Sequence, residues 1–324
     1  MRAMGSFRTS RSTIRRIVYA CVLWMMAGFL ILPAAFGQGK GVPPKGFATP
    51  EEATRALAAA YQKGDDKTVA EILGDKASRL VFSGDPVMDQ NERAWFLSLY
   101  AERHKLVADG KSRAVLQLGK DGQPYPIPII KKNAQWRFDP SEGHEDLLSR
   151  RISKAELTAL NMVGAYVDAQ REYQRKDPGG SGAREYAQRF RSTPGRKDGL
   201  YWEGASDKAE GPIAALVEAA SKEGYRPSED GASPIYRGYV YKILTAQGSL
   251  ASGGAREYIV NGRMTEGFAL VAFPVRYGVS GIMTFLVNQD GAIYQKDLGP
   301  KTVETGRQMT RFDPDPSWGK GRAN

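Results

Sequence analysis

The side chains of this sequence that are best suited to binding are aromatic rather than nucleophilic or metal-ligating. Tyr201 and Trp202 adjoin each other within residues 197–204, a stretch whose pattern predicts an irregular loop. Exposed aromatic side chains anchor many interfaces, because a few of them carry much of the binding energy. We therefore predict Tyr201 and Trp202 as the binding residues of this chain.

Several further tyrosines follow in the same half of the chain, at Tyr225, Tyr236, Tyr239 and Tyr258. Two interpretations are open for them. They line a binding face together with Tyr201, or they pack in the hydrophobic core. Core packing is the expectation for the tyrosines that alternate with apolar residues along a predicted strand.

Metal and nucleophilic chemistry has little support in the sequence. The chain has two histidines, His104 and His144, and one cysteine, Cys21, so a zinc site would have to use carboxylates. Residues 179–182 read Gly-Gly-Ser-Gly, one residue short of the elbow that presents a nucleophilic serine. The acidic pairs lie at predicted helix starts or in turns, where capping explains them. We predict no catalytic residue, no metal and no cofactor.

The first 37 residues have the pattern of a signal peptide. Five arginines precede an uncharged apolar run over residues 17–36, and Ala35-Phe36-Gly37 supplies small residues at the cleavage positions, so we predict cleavage before Gln38. The alternative is an uncleaved N-terminal membrane anchor. Removing those five arginines lowers the net charge from +10 to +5, and the remaining charges are mixed along the chain. We therefore expect no nucleic-acid partner.

The elements that position the aromatic residues begin after a flexible lead-in over residues 38–46. Helices are predicted from Thr49-Pro50 to Gly64, from Asp65-Asp66 through Leu73, and over residues 90–104. Strands follow over residues 114–118, 126–131 and 135–138. This order predicts a small α+β domain over residues 47–150. It resembles the cone-shaped fold of nuclear-transport-factor proteins.

A second domain is predicted over residues 151–318, with residues 319–324 as a tail. Ser153 and Glu156 have the spacing of a capping box, so a long helix is predicted to start there, after a separate short helix over residues 141–150. That long helix is predicted to end near Lys176. A helix is also predicted over residues 213–222, and residues 184–190 have a weaker helical pattern.

The strongest strand signals lie near the end of the chain. Residues 236–245 show the residue-by-residue alternation that is typical of a strand. Residues 267–299 contain three apolar runs joined by turns at Gly278 and Asp290-Gly291. Together these segments predict an antiparallel β-meander onto which the long helix packs.

Eight ordered motifs carry a resemblance that spans most of the chain: FATPEEA at Phe47, SGDP at Ser83, PYPIPIIKK at Pro124, YVDAQREY at Tyr166, DGLYW at Asp198, GYVYKILTAQG at Gly238, YIVNGRMTEGFALVAFP at Tyr258 and YQKDLG at Tyr294. With them the chain resembles a bacterial secreted family, the domain of unknown function 2950. The resemblance implies export and assigns no catalytic residue.

The C-terminal half is also similar to the globular part of type IV pilins and pseudopilins. The likeness lies in Ala169, Gln170 and Tyr173 near the end of a helix, followed by a Gly-Tyr-x-Tyr strand and the meander. A pilin helix continues directly from the cleaved N-terminus, whereas here residues 47–150 intervene. The resemblance therefore implies a pilin-like fold without filament assembly.

We predict an exported envelope protein of the α+β class that acts as a non-catalytic binding or structural module. Its expected partner is an envelope protein or a small ligand, and no stable membrane span is expected after cleavage. The alternative is a periplasmic ligand-binding protein or hydrolase with a pocket in the N-terminal domain or in the groove between the two domains. A deep polar pocket with titratable groups would favour the alternative.

Overall fold

The computed structural model describes residues 43–142, 144–204, 208–226 and 232–321. The signal peptide predicted for residues 1–37 and most of the lead-in lie outside these ranges, as do the last three residues of the tail. The described residues all belong to one compact unit, Gly41–Asn324. Within them, no helix combines the length and the apolar character that crossing a membrane requires.

The described residues form six α-helices: α1 Pro50–Lys63, α2 Asp66–Val81, α3 Pro86–Glu102, α4 His144–Lys176, α5 Ala214–Lys222 and α6 Thr302–Gln308. Local chemistry sets the ends of α1. The Thr49 side chain accepts a hydrogen bond from the Glu52 backbone N–H, and Gly64 ends the helix with a φ of 65°, which favours glycine.

The strands are short, and in chain order they are β1 His104–Ala108, β2 Arg113–Leu118, β3 Gln123–Pro124, β4 Ile129–Lys132, β5 Gln135–Phe138, β6 Arg189–Arg191, β7 Gly199–Glu203, β8 Ala209–Glu210, β9 Ile235–Tyr236, β10 Tyr239–Leu244, β11 Ala246–Gln247, β12 Arg256–Glu257, β13 Ile259–Val260, β14 Arg263–Met264, β15 Ala269–Pro274, β16 Met283–Asn288, β17 Tyr294–Asp297, β18 Arg311–Phe312 and β19 Gly319–Lys320.

Two sheets organise the described residues. The first has the order β1-β2-β4-β5, with β3 paired to β2, and it packs with α1, α2 and α3 around buried residues such as Leu57, Ile72 and Leu116. The second has the order β19-β17-β16-β15-β10-β9, and α4 packs against its strands β15 and β16. The fold is therefore of the α+β class, as predicted.

The predicted meander is confirmed by its pairing. Strand β10 pairs with β15, β15 with β16 and β16 with β17, all antiparallel. Every residue of β15 is buried, because α4 covers one face of the sheet and α6 packs on the same strand. The predicted likenesses to pilins and to nuclear-transport-factor proteins remain predictions.

The capping-box interpretation of Ser153 and Glu156 is wrong. A single helix, α4, runs from His144 through both positions, because no proline or glycine occurs between His144 and Glu156. Glu156 instead accepts hydrogen bonds from the backbone N–H groups of Ile282, at 2.9 Å, and Met283, at 3.0 Å. The predicted domain boundary at residues 150 and 151 falls inside this helix.

Two other boundaries and two other segments differ from their predictions. Helix α2 continues to Val81 through a kink at Gly74, and α3 begins at Pro86 because Asp85 caps it. Residues 184–190 form no helix, and the predicted loop 197–204 contains strand β7. Strand β7 pairs in parallel with β6, a tertiary pairing that local propensity does not reveal.

One buried carboxylate connects the N-terminal helices to the second sheet. The Asp85 side chain is fully buried, and its Oδ1 accepts hydrogen bonds from the backbone N–H groups of Val87 and Met88 in the first turn of α3. Its Oδ2 accepts from the Tyr225 hydroxyl at 2.8 Å and from the Gly238 N–H at 2.9 Å. The same carboxylate is therefore a helix cap and a tertiary link.

We expect Asp85→Ala to lower the free energy of unfolding by about 3 kcal/mol or more, because it removes a helix cap and leaves two buried donors without an acceptor. Urea unfolding of the full chain measures this. The matched control is Asp65→Ala, since Asp65 caps α2 through Thr68 alone and is exposed. Equal losses in the two variants would contradict a linking role for Asp85.

Candidate functional site

A cavity of about 160 Å³ lies between helices α4 and α5 and strands β7, β9, β10 and β15. We call it the tyrosine cavity, because five tyrosines line it: Tyr166, Tyr201, Tyr225, Tyr236 and Tyr241. Most of the other lining side chains are apolar, among them Met162, Ile213 and Leu270. The wall thus offers aromatic and aliphatic surface with a few hydroxyl groups.

Three of these hydroxyl groups have partners within the protein. The Tyr166 hydroxyl donates to the Ala269 carbonyl at 3.3 Å, the Tyr225 hydroxyl donates to Asp85, and the Tyr236 hydroxyl donates to Glu223 at 3.3 Å. These bonds fix the orientation of the rings. They also leave those hydroxyl groups with little remaining capacity to donate to a ligand.

Tyr241 is different, because its hydroxyl is buried and has no hydrogen-bond partner among the described residues. The side chain is 5% exposed. Burial raises the pKa of Tyr241 well above its ordinary value, with smaller contributions from Tyr236 and Tyr225 in the same wall. The hydroxyl therefore stays protonated at neutral pH and can donate to an acceptor.

Strand β10 carries a second tyrosine, Tyr239, two residues from Tyr241 and on the same face. Tyr239 is fully buried, and its hydroxyl donates to the Met283 carbonyl at 3.0 Å. The two residues are thus a matched pair on one strand, one with a satisfied hydroxyl and one without.

The structure separates the two predicted binding residues. Tyr201 lies in β7, is 6% exposed and lines the tyrosine cavity. Trp202 follows it in the strand and is half-buried outside the cavity lining, where its indole N–H donates to Glu210 at 3.1 Å. The Lys197 ammonium lies 5.0 Å from the centre of the Trp202 ring. A binding role for either residue remains a prediction.

Sequence reasoning missed the residues that give the cavity its polarity. Tyr241 belongs to a recognisable alternating strand, but alternation does not tell which hydroxyl lacks a partner. Tyr166 lies in the middle of α4, where the sequence shows only its apolar periodicity. The expectation of core packing agrees with Tyr239 and Tyr258, which are fully buried.

A second concavity, of about 300 Å³, lies where α3 and α4 meet Glu223, Tyr225 and Arg237. We call it the charged groove. Glu92 pairs there with Arg151 at 2.8 Å, and Arg237 forms two bonds to Glu223, at 2.6 and 3.0 Å. Burial raises the pKa of Glu92, and Arg151 opposes that shift. Tyr225 lines this groove as well as the tyrosine cavity.

The two histidines lie apart from both cavities. The His104 ring stacks on Tyr100 at 3.9 Å, and the His144 Nε2 lies 2.9 Å from the Lys76 carbonyl oxygen. Within the described ranges, no three histidine, cysteine, aspartate or glutamate side chains are grouped so that they could hold a metal ion.

Fold and site together define an α+β protein with an apolar, tyrosine-lined cavity. The chain belongs to the family described as "Protein of unknown function (DUF2950)", whose model matches residues 44–320. The family resemblance seen in the sequence is therefore confirmed. A search of curated proteins and a search of solved structures each found no match.

The matched pair on β10 gives a test of the unpartnered hydroxyl. We expect Tyr239→Phe to lower the free energy of unfolding by about 1 kcal/mol, because it removes the hydrogen bond from the Tyr239 hydroxyl to the part-buried Met283 carbonyl. Tyr241→Phe should leave the free energy of unfolding unchanged or raise it, because a buried polar group without a partner costs stability. Urea unfolding measures both. A loss for Tyr241→Phe equal to that for Tyr239→Phe would show that the hydroxyl is satisfied in the folded protein.

Proposed function

We propose that this protein is an exported, non-catalytic binding module that holds a small, largely apolar ligand in the tyrosine cavity. The observation that carries this proposal is that Tyr241 lines the cavity while its buried hydroxyl has no hydrogen-bond partner among the described residues. Buried polar groups in folded proteins nearly always have a hydrogen-bond partner. A ligand with one acceptor atom would supply that partner once the side chains that shield the hydroxyl move aside.

The size of the cavity favours a single ring. An engineered cavity of ~150 Å³ lined by aliphatic and aromatic side chains holds benzene, and the tyrosine cavity is of similar size, at about 160 Å³. Aromatic walls add favourable edge-to-face contacts with a ligand ring. We therefore expect a six-membered ring that carries a carbonyl or a similar acceptor.

The rim of the cavity supports binding rather than core packing alone. Leu216 and Ile235 line the cavity and are 38% and 40% exposed. A ligand that covers these side chains removes apolar surface from water, which stabilises the complex in proportion to the area covered.

Binding also agrees better than hydrolysis with the cavity lining. No histidine, aspartate or glutamate occurs among the described residues that line the tyrosine cavity. General acid–base catalysis most often uses one of these side chains within hydrogen-bond reach of the substrate. The charged groove contains glutamates, but the arginines Arg151 and Arg237 hold them in ion pairs.

Export is the second part of the proposal. It rests on residues 1–37, in which a basic segment is followed by an apolar one. We expect the mature protein to begin at or near Gln38 and to be recovered from the periplasm without detergent. N-terminal sequencing of the exported protein tests this. A product that retains Arg15 and Arg16 and needs detergent for extraction would favour the membrane-anchored alternative.

Acetophenone and ethylbenzene test the binding proposal, because they have similar shapes and only acetophenone carries an acceptor. We expect the full chain to bind acetophenone more tightly, as measured by ligand-observed NMR titration. Tyr241→Phe should weaken acetophenone binding about five-fold, the effect of one net hydrogen bond, and leave ethylbenzene binding unchanged.

Tyr239→Phe is the control for this titration, since its hydroxyl already bonds to Met283. It should leave the affinity for both compounds unchanged. The proposal fails if the folded wild-type chain binds neither compound, or if Tyr241→Phe binds acetophenone as tightly as the wild type does.

A further inference from the structure

We infer that the natural ligand of the tyrosine cavity is an anion: a ring with a hydrogen-bond acceptor for Tyr241 and a carboxylate for Arg226. This inference rests on the proposed binding function and names the chemical class of its ligand.

Arg226 carries the only formal charge among the described residues that line the cavity. It follows Tyr225 directly, and its side chain is exposed, whereas Tyr225 is buried. The guanidinium group therefore belongs to the solvent side of the cavity. A guanidinium presents its donors in a planar fork that matches the two oxygens of a carboxylate.

The two described carboxylates that bond to tyrosines of the cavity wall, Glu223 and Asp85, are already engaged. Glu223 is held by two bonds from Arg237, and the Asp85 oxygens accept from Tyr225, from Gly238 and from the start of α3. None of the ion pairs within the described ranges includes Arg226. An anionic group at the cavity mouth would therefore meet a cation without a described competitor.

The two polar groups of the cavity lining differ in burial. The Tyr241 hydroxyl is buried, and Arg226 is exposed. Most of the other lining residues are apolar, among them Met162, Val217 and Leu270. A complementary ligand thus has an uncharged acceptor for the buried hydroxyl, an apolar ring, and its charge where water still solvates it. A charge placed at the buried hydroxyl instead would pay the full cost of desolvation.

The exposed position of Arg226 limits how much the charge contributes. Ion pairs at exposed sites strengthen an interaction modestly and weaken as salt screens them. We therefore expect a carboxylate to improve affinity about five-fold at low ionic strength, and less at high ionic strength.

The test compares acetophenone with 4-acetylbenzoate, which adds a carboxylate across the ring from the acetyl group. The full chain should bind 4-acetylbenzoate about five-fold more tightly at low ionic strength. Arg226→Gln should remove that gain and leave the acetophenone affinity unchanged. The gain should also shrink when the ionic strength is raised.

Lys222→Gln is the matched control, because it removes one exposed positive charge close in sequence to Arg226 from a residue outside the cavity lining. It should keep the preference for 4-acetylbenzoate. Far-UV circular dichroism checks that both variants are folded. A loss of the preference in both variants would show a general charge effect and overturn the role of Arg226.

The outcomes separate this inference from the proposed function. If acetophenone binds in a Tyr241-dependent manner but 4-acetylbenzoate binds no more tightly, the anionic ligand is wrong and the binding function stands. If Arg226→Gln retains the full preference, the assignment of Arg226 is likewise wrong. If the folded chain binds neither compound, the proposed function fails, and this inference fails with it.

Discussion

The Asp85 carboxylate is the interaction on which both the fold and the cavity depend. It begins α3, and at the same time it holds the Tyr225 hydroxyl and the Gly238 N–H from a part of the chain well over a hundred residues away. Gly238 has a φ of 84°, and a side chain there would press on Ser280, so both the backbone conformation and the packing favour glycine at the position that donates to the carboxylate. Since Tyr225 is a wall of the tyrosine cavity, a group in the N-terminal half sets the shape of a site in the C-terminal half.

Helix α4 has a comparable effect on a larger scale. Leu148 packs in the N-terminal core, and Ala159 and Tyr166 pack in the core of the second sheet. Glu156 lies between those contacts and accepts hydrogen bonds from the backbone N–H groups of Ile282 and of Met283, the first residue of β16. The helix that supplies Tyr166 to the cavity is thus held at both ends and at the start of β16.

The sequence predicts those elements whose ends have local signals. Thr49, Pro50 and Gly64 mark α1, and Asp290-Gly291 marks the turn of the meander, because capping and positive φ depend on residues close in sequence.

Elements that depend on distant partners were missed. Ser153 has the pattern of a helix cap, but nothing interrupts the helix before it, so α4 does not start there. Strand β7 forms through its pairing with β6. In the site, Tyr201 is recognisable as an aromatic residue near a loop. The unpartnered state of Tyr241 depends on the absence of an acceptor in three dimensions, which no local pattern encodes.

Tyr225 forms part of the wall of both the tyrosine cavity and the charged groove. The centre of its ring lies 4.9 Å from that of Tyr236 in an edge-to-face contact. A displacement of the Tyr225 ring toward one concavity would therefore change the space in the other. Any ligand of the groove that shifts this ring would alter affinity in the cavity, and thermodynamic linkage requires the reverse effect to have the same magnitude. The two concavities are in that sense one coupled system, and the occupancy of each would report on the other.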